Sequence, residues 1–192
     1  MANLKNRLTT EEIQELQQLG KDINAIDAKM NGMLEKGDYD FDELIESNDT
    51  IFEKIIRVME ICYGDSISEK TMGNHLRHIE SYLSYMITHE GMPLAMAILP
   101  GAISGYFGDW YISHNLSSSP SSTKAACTAL KKMADALEAA EVYDEKMVRD
   151  LKDVIKEEQP EWLLRMTMFN DPDCDYDDYS ERVHGFRLED FF

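Results

Sequence analysis

From Ile13 to Phe169 the apolar residues return every three or four positions, a spacing that sets them on single stripes of successive α-helices. In the first segment Ile13, Leu16, Ile23, Ile26, Met30 and Met33 keep the helical period. Thr9 or Thr10 is placed to cap its start, and Glu11 and Glu12 occupy the first turn, where the helix dipole favours negative charge. Gly20 falls mid-helix, at a cost of about 1 kcal/mol against alanine. Lys36-Gly37-Asp38 closes the segment. Phe41, Leu44, Ile45, Phe52, Ile55, Ile56 and Met59 then predict a second helix over Asp40–Tyr63. Two long helices joined by a short glycine-containing turn form an antiparallel hairpin. Its stripe is wider than a coiled-coil seam, which favours packing on the rest of the chain over a free interaction arm.

Ser68 caps the next predicted helix, which turns Met72, Leu76, Ile79, Leu83 and Met86 inward. Gly91 breaks it, Pro93 suits the first turn of a short helix, and beyond Pro100-Gly101 another helix carries Ile103, Phe107, Trp110 and Tyr111. The clearest stretch runs from Ser117 to Val142. Its serines flank Pro120, and their short hydroxyl side chains favour caps over helix interiors. After them Ala126, Leu130, Met133, Ala134, Leu137 and Ala140 form one buried stripe. Asp144 caps a helix carrying Met147, Leu151, Val154 and Ile155. Pro160 predicts a restart, after which Trp162, Leu163, Met166 and Phe169 dock a last helix, and Asn170-Asp171-Pro172 ends regular structure. The fold class that follows is all-α: a helical hairpin over 1–67, a four- to five-helix bundle over 68–170, and an acidic extension over 171–192.

At 192 residues the chain can bury a core large enough to need no covalent staple. The three cysteines are widely spaced with no Cys-x-x-Cys, which argues against a disulfide framework or a zinc knuckle and for a reducing, cytoplasmic setting. No apolar run has the length of a signal peptide or a membrane span. The net charge of −18 divides as −8 over residues 1–67, −4 over 68–160 and −6 over 161–192. A surface built to release counterions from a phosphate backbone is basic, so this balance counts against unaided DNA binding.

Three motifs stand in order in the central part of the chain. They are Thr-x-x-x-His-Leu-x-x-x-x-x-Tyr-Leu from Thr71 to Leu83, the aromatic Gly105–Ile112 segment, and Ser121-Ser122-Thr123-Lys124 ahead of the Leu130–Leu137 helix. This order resembles the SAM-like core-binding domain of tyrosine recombinases and phage integrases, over about half the chain. The resemblance implies a compact helical domain that forms half of a clamp on double-stranded DNA. Carried over by position, Thr71, His75 and Arg77 on one helix and Ser121, Ser122, Thr123, Lys124 and Lys131 on the other would face the duplex. The charge departs from that pattern, and suggests either a basic partner beside the DNA or a scaffold turned to protein contacts.

Candidate chemistry is sparse. His75, Arg77 and His78 read as phosphate contacts, as metal ligands or as an ordinary polar face, and no acidic or cysteine partner stands at ligand spacing. His89 and His114 read as isolated. The alternating carboxylates from Asp171 to Glu181 imitate a calcium loop, but Tyr176 and Arg182 stand where glycine and a bidentate glutamate are needed. A solvated acidic tail is the simpler reading. His184-Gly-Phe-Arg187 copies a recombinase active-site motif, yet five residues follow Arg187, far fewer than the separate catalytic domain that carries this chemistry in the family. The expectation is a non-catalytic protein with no cofactor and no metal. It binds DNA beside a partner, or it is a helical adaptor or homodimer whose twelve methionines supply adaptable packing.

Overall fold

The structure is a computed structural model that describes residues 4–37, 40–115 and 118–185; among them all regular structure is helical. Asp38, Ser117 and Arg187 lie outside the described residues. Helix α1 (Thr10–Lys36) starts on a reciprocal cap. Thr9 Oγ1 accepts from the Glu12 amide at 3.2 Å, and Glu12 Oε2 accepts from the Thr9 amide at 2.7 Å. Gly37 ends it with φ +66°, a left-handed conformation open to glycine. Helix α2 (Phe41–Tyr63) begins on Asp40 and returns antiparallel. Three ion pairs fix that direction: Glu15 with Arg57, Asp22 with Lys54 and Lys29 with Glu43, one partner descending the sequence as the other climbs.

The hairpin does not stand free. Helix α2 packs on α3 (Glu69–Thr88) and on α6 (Pro120–Ala139), and one continuous buried cluster runs from Leu16 and Ile55 through Tyr82 and Leu130 to Trp162. Gly20 explains the close approach on the other side. A Cβ at this position would stand 1.8 Å from the Ala140 carbonyl oxygen, so the bundle requires the glycine that helix propensity disfavours. Past α6 the chain turns at Glu141, whose φ of 62° is rare for a residue with a side chain. Three residues hold it there. Lys5 and Gln17 donate to its carboxylate at 2.9 and 3.1 Å, and Asn24 donates to its carbonyl at 3.4 Å.

Between α3 and α6 the short helix α4 (Pro100–Gly105) continues into a π-helical stretch, Tyr106–Trp110, and then into α5 (Tyr111–His114). The Gly91–Leu99 segment is a set of turns around the 3-10 helix Leu94–Met96, rather than the short α-helix expected after Pro93. Its backbone polar groups are met by side chains. Asp27 accepts from the Ala95 amide, Tyr143 donates to the Leu94 carbonyl at 3.0 Å, and Tyr82 donates to the Ala97 carbonyl.

Two expectations are overturned at the C-terminal end. Helix α7 (Glu145–Asn170) runs unbroken through Pro160 instead of restarting there. Apolar anchors on both sides, Ile155 and Trp162, are buried in the same core, which keeps the helix continuous across a missing amide donor. Regular structure also continues beyond Asn170. Helix α8 (Tyr176–His184) starts on Asp175, whose carboxylate accepts from the Asp177 amide at 2.8 Å, and packs against α7.

Candidate functional site

The residues assigned to a DNA-facing surface do not share one environment. On α3, Thr71 is exposed beside the capping Ser68, and Arg77 is exposed and bonds back to Asn74. His75 is buried, and burial lowers its pKa, helped by nearby Lys132. At the start of α6 the hydroxyls serve the cap. Ser122 Oγ accepts from the Ser119 amide at 2.9 Å, Ser119 Oγ accepts from the Ser122 amide, and Thr123, fully buried, donates to the Ser119 carbonyl. Ser121 is exposed and bonds Ser119 side chain to side chain. Lys124 is exposed and Lys131, two turns on, is half-buried, so these two share a face. Lys132 turns the other way, with its ammonium 4.2 Å from the centre of the Tyr63 ring.

The π-helical stretch organises an aromatic seam that the sequence does not announce. The Tyr111 amide reaches the Tyr106 carbonyl five residues back, and the wider turn lets Tyr106 stack on Trp110 with centroids 5.5 Å apart. Phe107, fully buried as expected of a core anchor, stacks on Trp162 of α7 at 5.0 Å. Trp110, expected to be a second anchor, is only partly buried. His114 lies parallel to its ring at 5.0 Å, and His89 from the end of α3 approaches at 5.2 Å. The two histidines therefore meet, 6.1 Å apart, where their sequence separation reads as isolation. The four-residue spacing of Trp110 and His114 was a usable signal; nothing local points to His89.

A second cluster ties α8 to that seam. Glu161 on α7 accepts from Arg182 of α8 through both oxygens, at 2.9 and 2.5 Å, and from Arg165 at 3.1 Å. Arg165 then donates to the Gly108 carbonyl inside the π-helical stretch, also at 3.1 Å. The two guanidiniums, Arg182 first, hold the Glu161 carboxyl down at about 2. Beside this relay the end of α7 and the start of α8 enclose a shallow groove of about 120 Å³. Phe169 and Tyr176 form its walls, 44% and 59% exposed, and buried Tyr179 is its floor.

Inside the bundle burial disfavours the charged forms of the ionisable groups. Burial pushes the Cys62 thiol up to about 12 and the Cys127 thiol to about 11, and raises Tyr82, Tyr106 and Tyr143. Burial likewise raises the Asp27 carboxyl against the opposing pull of the Ala95 and Leu94 amides. In the acidic run, Asp171 and Asp175 spend an oxygen each on the Asp173 and Asp177 amides. Among the described residues no group of three or more His, Cys, Asp or Glu is arranged to hold a metal ion, and no helix is long and apolar enough to cross a membrane.

Comparison of the chain with protein-family models, with curated proteins and with solved structures finds no match in any of the three.

Proposed function

We propose that this chain is a non-catalytic helical binding module that acts through protein contacts, its acidic surface receiving a basic partner. The observation that carries this reading is how charge is spent. With 37 Asp and Glu against 19 Lys and Arg, Lys29, Lys54, Arg57, Lys146, Arg165 and Arg182 are each engaged by a carboxylate of the chain itself. What remains to attract a macromolecule is an excess of carboxylates, which steers cations and repels phosphate backbones. The non-catalytic part is supported by thiols and phenols raised far above neutrality, the reverse of how a nucleophile is prepared.

One observation favours a second reading, a module like the recombinase core-binding domain that reaches duplex DNA beside a basic partner. Ser121, Lys124 and Lys131 lie along one face of α6 from its capped N-terminus. A titration of labelled duplex DNA at roughly 50 and 200 mM salt separates the two. The isolated chain is expected to leave the duplex unbound at both. Binding at the lower salt that is weakened by Lys124→Ala with Lys131→Ala would overturn the protein-contact reading.

A further inference from the structure

On the acidic surface, the groove between the end of α7 and the start of α8 is shaped to receive a side chain. Its volume of about 120 Å³ is well below the roughly 300 Å³ at which small-molecule pockets begin, so it accepts a single side chain rather than a metabolite. Phe169 and Tyr176 stand on either side with much of their ring surface in water, and Tyr179 packs against both, at 5.5 and 6.3 Å. An exposed pair of aromatic walls over an aromatic floor is the arrangement from which interface anchors are made. Carboxylates crowd its edge. Asp171 lines the groove, Asp173 and Asp175 are exposed beside it, and the nearest cation on α8, Arg182, is committed to Glu161. The Cys174 thiol in the groove wall reports the same field, raised by burial and then by Asp171, Asp178 and Asp175.

Resting on the reading of the chain as an acidic protein-contact module, we infer that this groove docks a basic segment of a partner protein that presents one apolar side chain between cationic ones. The apolar side chain enters between Phe169 and Tyr176, and its flanking lysines or arginines meet the Asp171–Asp175 edge. Neither half suffices alone: a bare cation gains little from exposed carboxylates, and a bare apolar side chain has only a shallow seat.

The test uses the full chain and two labelled synthetic peptides, lysines around a single leucine and the same peptide with alanine for leucine, followed by fluorescence anisotropy. The leucine peptide is expected to bind the tighter. Phe169→Ser with Tyr176→Ser should weaken it about tenfold or more, while Phe41→Ser, at an exposed phenylalanine on α2, leaves it unchanged. Asp171→Asn with Asp173→Asn keeps the local hydrogen-bond acceptors, and should lower affinity for both peptides. Equal binding of the two peptides, indifferent to Phe169→Ser, overturns the groove while leaving an acidic binding surface. Failure to bind either peptide overturns both readings. If the leucine peptide binds only after Phe191→Ser with Phe192→Ser, the chain's own end is the occupant, and if Phe169→Ser dissolves a concentration-dependent dimer, a second copy is; either result overturns the proposal.

Discussion

Gly20 and Asp27, both on α1, work against their own element for the sake of its packing. Substituting Gly20 with alanine gains about 1 kcal/mol of helix propensity. The new methyl meets the Ala140 carbonyl at 1.8 Å, a contact that backbone must move to relieve, and such overpacking costs about 1–3 kcal/mol. The clash wins, so Gly20→Ala should lower the midpoint of urea unfolding, and an unchanged or raised midpoint would show that α1 and the α6 turn do not touch there. Asp27 carries the opposite tension, a carboxylate 8% exposed that caps the Ala95 amide. Its folded pKa lies above the unfolded value, so the folded state holds this proton more tightly, and stability is lost as pH rises from near 4 through the folded pKa. Asparagine keeps an acceptor without the titration. The melting temperature of the wild type relative to Asp27→Asn is therefore expected to fall as pH is raised through that window; a constant difference would place Asp27 in water.

At the scale of elements, the attachment of α8 turns on Glu161. Its folded pKa of about 2 lies below the unfolded value of 4.5, so its contribution is fully present above the unfolded value and is lost as pH falls toward 2. Glu161→Gln should loosen α8, raising amide exchange across Tyr176–His184 at neutral pH. The wild type should show that rise only on acidification, and equal protection in both would sink the relay. Pro160 gives a second prediction. It is exposed inside α7 and removes a hydrogen bond, so Pro160→Ala should stabilise the protein by roughly 1–3 kcal/mol, read from the unfolding midpoint. These two places also mark where the sequence stops being legible. The stripes and caps predict α1, α2, α3, α6 and most of α7, because periodic burial and Thr9, Ser68 and Asp144 caps are local signals. Proline reads as a break because the buried anchors on both sides of it are supplied by the fold. The α8 stripe of Tyr176, Tyr179 and Val183 is obscured by the carboxylates between them. The meeting of His89 with Trp110 and His114 was out of reach, since it depends on how α3 closes against a π-helical turn. Of the residues that the resemblance sets facing DNA, Lys124 and Lys131 share a face, whereas His75 and Thr123 are buried, which a match of motifs could not tell.

The whole molecule sets a continuous core against a surface of one dominant sign. Hydrophobic contact joins the hairpin to the bundle, so the chain is expected to unfold as one unit rather than shedding its first 67 residues. The charges oppose this cohesion. Surface ion pairs such as Lys29 with Glu43 and Lys146 with Asp150 are worth between nothing and about 1 kcal/mol each, and salt weakens them. Repulsion among the unpaired carboxylates behind the −18 net charge acts over longer range, and salt weakens it more, because screening at roughly 0.1 M reaches down to about 10 Å. The second effect is the larger, since each exposed pair is local whereas every excess carboxylate repels all the others. The melting temperature should therefore rise as sodium chloride increases from about 20 to 300 mM at neutral pH. A basic protein partner supplies the same neutralisation with counterions fixed in place. The salt-dependent gain should then shrink when a lysine-rich peptide is present at saturation. A melting temperature that falls with salt would mean that the ion pairs, rather than the excess charge, govern the surface, and the case for a basic partner would lose its physical basis.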